Sequence, residues 1–400
     1  MERIYLDNAA TSWPKPESVY CAIDHAQRVI GAPAGRGGYE QVVEALRLVE
    51  QTRGALARLI NAPNRRNIAF TFNGTDSLST AIFGLLKPGD HVVTSVVEHN
   101  SVLRPLKHLE AEKKIQVTYV GCDANGLFDE TEIASAIRPD TRLVCLTHVG
   151  NVTGAIQPLE NIGSICKANG HDQHDAPNTI FLIDAAQSLG YIPVNVQTLG
   201  CDILAAPGHK GLLGPLGTGI LFVNDQTAPA IQPLRFGGTG TDGSVETQPT
   251  KTPDKFESGN LNVPGIAGIN AGLIFLKSAE GIAAHENWET LSGLLLESIV
   301  STEGITLHGP ATMENRIGVF SISIDGLDCH EASSILDSNW SVQTRSGLHC
   351  APLVHRAMGT EKDHGSLRLS VGLFNTKLQI EKAASALREL AQHAATVGSD

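Results

Sequence analysis

From residue 67 onward, short apolar runs alternate with amphipathic stretches. Residues 68–72, 91–96, 116–120, 143–148, 179–184, 203–207 and 219–223 are compact runs rich in Val, Ile, Leu and Phe, and each reads as a strand. Between them, apolar positions recur at helical spacing. Helices are predicted over 74–85, from Glu98-His99-Asn100-Ser101 to 112, and over 130–137 and 159–169. Two helices precede this region: 16–30, ended by Gly31, and 39–59, carrying Val42, Val43, Leu46, Val49 and Leu56 on one face. The turn-rich stretch between them contains Arg36, which is placed to contact a ligand or, the preferred reading, solvent. Strand–helix alternation predicts an α/β fold whose mostly parallel sheet is covered on both faces. After 223 the rhythm loosens into loops at 236–240 and 256–260 and a helix over 265–279. Strands follow at 317–324, 341–344 and 366–371, with helices at 330–338 and 377–394. The expected organisation is a large α/β domain over 15–265 and a smaller α+β domain built from 1–14 and 266–400.

Composition narrows the function classes. A 400-residue chain that is 42% hydrophobic supports a large core. Its net charge is −12, without any Lys/Arg-rich stretch, which argues against nucleic acid or an anionic membrane as partner. The first residues form no apolar signal region, and the longest near-apolar run, 266–276, is too short to span a bilayer. A cytoplasmic location is expected. Seven scattered cysteines without a CxxC pair read as thiols in a reducing compartment, one of them reactive. The polar insertion 168–178, with His171 and His174, reads as a solvated loop, and no metal site is expected.

Candidate chemistry clusters at strand ends. Thr75, His99, Asn151, Asp184 and Lys210 each follow a predicted strand, where open α/β sheets bind ligands. A lysine and an acid on neighbouring strands suit pyridoxal phosphate: the amine forms a Schiff base, and the acid keeps the pyridinium nitrogen protonated. Gly74-Thr75-Asp76-Ser77 opens a helix and suits a phosphate cradle. Alone, Thr75 or Asp76 reads as an N-cap and His99 as a structural residue. Beside Asp184 and Lys210, a ring stacked on the cofactor is the better reading of His99. Near the C-terminus, Arg345-Ser346-Gly347-Leu348-His349-Cys350 holds a candidate nucleophile, Cys350, with Arg345 and His349 close in sequence to favour its thiolate. Arg368 is a candidate fork for a substrate carboxylate.

Taken in order, Tyr5-Leu6-Asp7-Asn8-Ala9-Ala10-Thr11, Gly74-Thr75-Asp76, Glu98-His99-Asn100, His148-Val149-Gly150-Asn151, Asp184-Ala185-Ala186-Gln187, Gly208-His209-Lys210, Glu257-Ser258-Gly259, the Cys350 loop and Arg368 resemble the class V aminotransferase-fold enzymes, and among them the group II cysteine desulfurases and selenocysteine lyases. The resemblance implies the fold type I architecture of pyridoxal phosphate enzymes, a homodimer, and conversion of L-cysteine to L-alanine with a persulfide left on Cys350. It further implies sulfur supply to an acceptor, as in iron–sulfur cluster assembly. Lys210 would carry the cofactor, Asp184 would face its ring nitrogen and His99 would stack on it. Gln187 and Asn151 would lie near the phenolic oxygen and substrate. Thr75, Asp76 and His209 would lie at the phosphate, and Asn260 at a neighbouring subunit's phosphate. Arg368 and Arg345 would bind substrate. Alternatives on the same scaffold are a selenocysteine lyase, another lyase, an epimerase or an aminotransferase. A non-catalytic homologue would be expected to lack Lys210, Asp184 or Cys350, and all three are present. The chain departs from the family pattern at Pro207, where serine or threonine is usual, and at Asp76 and Asn260, where threonine is usual. The Asp76 carboxylate would repel a phosphate unless it points away.

Overall fold

The computed structural model describes residues 3–35, 37–169, 179–239 and 246–397. Arg36, His171 and His174 lie outside the described residues. The strands of the first two-thirds of the chain are β1 (Ile4–Tyr5), β2 (Ile68–Thr71), β3 (His91–Ser95), β4 (Gln116–Val120), β5 (Thr141–Thr147), β6 (Ile180–Asp184), β7 (Ile203–Pro207) and β8 (Gly219–Val223). All but β1 form one sheet in the order β2-β8-β7-β6-β5-β3-β4. Its pairings are parallel except at β8, which runs against both β2 and β7.

Alternation along each strand divides the core in two. Val93, Val144, Leu146, Phe181, Ile183 and Leu204 pack on one face. Val92, Leu143, Cys145, Leu182, Ile203 and Ala205 pack on the other. Successive side chains of a strand point to opposite faces, so a strand covered on both sides must be apolar throughout. Each such side chain contributes roughly 1.5–3 kcal/mol by leaving water. Parallel register then brings strand ends level: Thr147 pairs with Asp184, and Asp184 with Ala205. The residues following β5, β6 and β7 therefore emerge side by side.

The later strands are β9 (Ile305–His308), β10 (Val319–Ile324), β11 (Val342–Gln343), β12 (Arg345–Gly347) and β13 (Ser366–Ser370). Four form an antiparallel sheet, β12-β13-β10-β9, while β11 pairs in parallel with β1. Helices Ala279–Ser301, Cys329–Trp340 and Lys377–Val397 supply its core through Leu295, Leu336 and Leu387, among others. The N-terminal arm is bound to this sheet by Asn8, whose side chain donates to the Ser370 carbonyl at 3.0 Å.

Three local expectations change. The helix expected over 265–279 is Val263–Lys277, and a second helix, Ala279–Ser301, follows at once. Ser278 separates them by capping the second, its Oγ accepting from Gly281 N at 3.1 Å. The strand expected at 341–344 is two short strands, β11 and β12, and Arg345 on β12 is paired in register with Arg368. A further short helix, Pro352–Ala357, follows Cys350. Among the described residues, no single helix is long and apolar enough to cross a membrane.

Candidate active site

A cavity of about 220 Å³ opens where the ends of β5, β6 and β7 meet the β12–β13 hairpin. Thr75, His99, Asn151, Asp184, Gln187, His209, Lys210, Arg345, Cys350 and Arg368 all line it. Asp76 and Asn260 do not.

Lys210 follows β7 through the turn Gly208-His209 and is partly buried. Its amine has no hydrogen-bond partner among the described residues. Burial pulls the amine down to about 8, with Arg368 and Arg345 acting the same way and Asp184 opposing them. Asp184, at the end of β6, is buried, and one of its oxygens accepts from Ala186 N at 2.9 Å. Burial raises its pKa, while the Ala186 N–H and Lys210 resist the rise.

His99 is the N-cap of helix Asn100–Ala111. Its Nδ1 accepts from Ser101 N at 3.0 Å, so the neutral ring carries its proton on Nε2. Burial, then Lys210 and the arginines, pull it down to about 4, which keeps the ring neutral near pH 7. Ser101 Oγ lies 2.9 Å from that Nδ1 and 2.7 Å from Thr75 Oγ1. Ser101 thus joins His99 to the start of helix Gly74–Leu85.

At that start, the Asn73 side chain caps Asp76 N at 2.9 Å. The N–H groups of Gly74 and Thr75 have no acceptor among the described residues. A Cβ at Gly74 would stand 3.1 Å from Pro207 Cδ, so the absence of a side chain lets the helix end approach β7. Pro207 occupies the neighbouring wall as an apolar contact. The Asp76 side chain does not line the cavity: its oxygens accept from Arg235 Nη1 at 2.5 Å, Arg235 Nη2 at 3.1 Å and Phe72 N at 2.9 Å. Asn260 is exposed and lines a separate small cavity with Phe72, Arg235 and Ser258.

The opposite wall carries charge. Arg368 is buried, donating from Nη2 to Asp7 at 2.9 Å and from Nη1 to the Asn151 carbonyl at 3.0 Å, while its Nε has no partner among the described residues. Arg345 stands across from it in the antiparallel register, exposed. Like charges set opposite one another are unfavourable, and an anion between them would relieve this.

Cys350 follows β12 closely, at the start of the connection to β13. Its carbonyl accepts from Asn100 N at 2.7 Å, which docks the loop on the helix that begins beside His99. His349 and Cys350 both adopt left-handed backbone, φ 48° and 59°, a conformation costly for side chains with a Cβ. The Cys350 thiol is exposed. His349 does not supply the positive charge expected of it. Its ring is buried and donates from Nε2 to the Ser366 carbonyl at 3.0 Å, and burial drives its pKa well below the usual histidine range. The nearby positive charge belongs to Arg368 and Arg345.

Two residues escaped assignment in the sequence. Glu98 is fully buried beneath the site, accepting from Ser95 Oγ at 2.6 Å and Thr147 N at 3.0 Å, and burial raises it to about 8. Lys15 donates to the Ser12 and His209 carbonyls at 3.1 and 3.2 Å, pinning the N-terminal arm to the turn before Lys210. Both follow residues that look structural in isolation, and only the fold shows what they touch.

The sequence profile of the family Aminotransferase class-V matches residues 4–383. The chain belongs to the class V aminotransferase family. A relative from Methanothermobacter thermautotrophicus, named "Probable cysteine desulfurase", is 33% identical over 98% of this chain and 95% of its own length. The fold matches the apo structure of a cysteine desulfurase from Thermococcus onnurineus NA1 with a TM-score of 0.88 at 31% identity, covering 98% of this chain and 95% of that one. It also matches the Escherichia coli cysteine desulfurase CsdA with a TM-score of 0.84 at 25% identity, over 98% and 95% of the two chains.

The cavity's residues fit the pyridoxal phosphate that this family uses. Lys210 offers an unpartnered amine, Asp184 a buried carboxyl, and Gly74 and Thr75 two free N–H groups. Gln187 Oε1 and His209 Nδ1 are buried in the same wall without partners among the described residues. Gln187 is held from its other end, Nε2 donating to the Ala9 carbonyl at 2.9 Å.

Proposed function

We propose that this chain is a pyridoxal phosphate-dependent cysteine desulfurase that releases L-alanine from L-cysteine and receives the sulfur on Cys350. The carrying observation is the meeting, in one cavity, of the Lys210 amine, the Asp184 carboxyl, the Arg345–Arg368 pair and the Cys350 thiol. Relatives and structural neighbours named as cysteine desulfurases match it from end to end. Lys210 would hold the cofactor, with Asp184 toward its ring nitrogen, the neutral His99 ring against it, and Gly74 and Thr75 at its phosphate. When bound, it supplies an electron sink for the substrate's Cα.

The protein's own residues do the rest. Arg368, steadied by Asp7 and Asn151, takes the substrate carboxylate with Arg345 beside it. Lys210, with its lowered pKa, removes the proton from Cα. Asp184 keeps a proton at the cofactor's ring nitrogen. The Cys350 thiolate attacks the substrate sulfur: an S–S bond forms, the C–S bond breaks, and the carbon is protonated to alanine. The balance is one cysteine and one Cys350 thiol giving one alanine and one Cys350 persulfide, which then serves an acceptor.

In the same reading the protein is a cytoplasmic homodimer. All seven cysteines are free thiols. Asn260 stands outside the cavity of Lys210, lining a smaller one beside exposed Phe72, as a residue serving a neighbouring subunit would. The test is incubation of purified protein with L-cysteine, assaying alanine and sulfide, with Cys350→Ala alongside. Alanine formation that depends on Cys350 is expected; equal alanine from Cys350→Ala would contradict the reading.

A further inference from the structure

The helix Gly74–Leu85 meets the cavity with a contradiction. Its first N–H groups, at Gly74 and Thr75, have no acceptor among the described residues, and the N-terminal end of a helix favours anions. Yet Asp76, in the same first turn, already carries a negative charge. An unpaired carboxylate there would repel a phosphate monoester dianion. The structure resolves this with Arg235. Its guanidinium meets both Asp76 oxygens, at 2.5 and 3.1 Å, and lies 5.0 Å from the Phe72 ring centroid. The two side chains are 14% and 34% exposed, so the pair is sheltered from solvent without being sealed from it. The Arg235 carbonyl accepts from Ser258 Oγ at 3.0 Å, which ties the pair to the loop leading to Asn260. A second observation points to a ligand in this cavity: Gln187, 2% exposed, lines it with an Oε1 that has no hydrogen-bond partner among the described residues.

We propose that Arg235 is a positioning residue for the phosphate cradle: by neutralising Asp76 in a two-point contact, it lets this helix start accept a phosphate although a carboxylate stands in its first turn. Arg235 acts through Asp76 and does not line the cavity itself. Aspartate at position 76 is therefore tolerated as half of a neutral pair. The proposal rests on the cofactor reading above.

The test compares uptake of pyridoxal phosphate with that of pyridoxal, which has the same aldehyde and ring but no phosphate. Apoprotein is titrated with each and followed by the visible absorbance of the bound ring. The ratio of the two affinities isolates the phosphate, and any inactive fraction in a preparation cancels from it. Wild type should prefer the phosphorylated form. Arg235→Gln should shrink that preference about tenfold, the size expected of one uncompensated charge at the edge of a site. Adding Asp76→Asn to Arg235→Gln should restore it to within about threefold of wild type, because a neutral side chain needs no counter-charge. Asp76→Asn alone should keep or widen the preference. An unchanged preference in Arg235→Gln, no restoration in the double variant, or a narrowed preference in Asp76→Asn would overturn the proposal. Wild-type apoprotein that binds neither aldehyde would overturn the cofactor reading beneath it, a distinct result.

Discussion

Lys210 and Asp184 are perturbed by the same burial in opposite senses. Loss of water disfavours the charged form of each, so the amine is pulled down to about 8 and the carboxyl is pushed up. Their attraction opposes both shifts. The sign for the amine is plain: below about pH 8 Lys210 is a cation and not nucleophilic, and above it the amine is free. Uptake of pyridoxal phosphate by apoprotein should therefore accelerate as pH rises through about 8, measured by stopped-flow absorbance. An acceleration centred near the ordinary lysine value of about 10.4 would contradict it. Lys210→Ala should show no cofactor that borohydride fixes to the chain; a fixed adduct on another lysine would reassign the site. His99 should remain neutral across this whole range, since burial holds it at about 4.

At the scale of elements, the site depends on close backbone contacts and buried ion pairs some distance from the chemistry. Gly365, at φ 112°, sits where a Cβ would fall 2.2 Å from Gly347, so the β12–β13 hairpin bearing Arg345, Arg368 and the Cys350 loop closes only with glycine there. Arg53, on helix Glu40–Leu59, grips Glu257 through two contacts of 2.8 and 3.0 Å, both side chains buried, and Glu257 also accepts from Phe70 N at 2.6 Å. Glu257→Ala removes the buried partner of Arg53 and leaves only the partly exposed Glu50, 3.0 Å from its Nε, so the fold should lose about 2–4 kcal/mol in urea unfolding. A loss under about 1 kcal/mol would show that the pair is dispensable.

Legibility in the sequence follows the range of each interaction. Strands β3 to β8 are readable because a two-sided core demands unbroken apolar runs, and the residues just after them sit at the carboxyl edge in any parallel sheet. Asp184, His99 and Lys210 follow directly. The Asp76–Arg235 contact spans 159 residues, so Asp76 looks like part of the cradle until the fold shows its partner. His349 is adjacent to Cys350 in sequence yet faces Ser366 across the hairpin. Only Ser278 separates the helix Ala279–Ser301 from the one before it, so a single apolar segment conceals the cap there.

For the whole molecule, the N-terminal arm and the last sheet form one core, while the arm's continuation reaches His209 through Thr11, Ser12 and Lys15. The cavity is therefore assembled from both ends of the chain. The proposed homodimer predicts light scattering at twice the chain mass, and weaker cofactor retention in one subunit when its neighbour carries Asn260→Ala. Mixed dimers of Asn260→Ala and Lys210→Ala subunits test the second point, since only the Asn260→Ala subunit can then bind cofactor at Lys210. Its retention should return to the wild-type level when its neighbour supplies an intact Asn260. The central claim is that Cys350 receives the sulfur, and it is tested most directly by mass spectrometry of the protein after a single turnover with L-cysteine. The account predicts one added sulfur on the peptide containing Cys350 and none on peptides containing the other six cysteines. Alanine formed with Cys350 left unmodified, or with sulfur added at another cysteine, would contradict it.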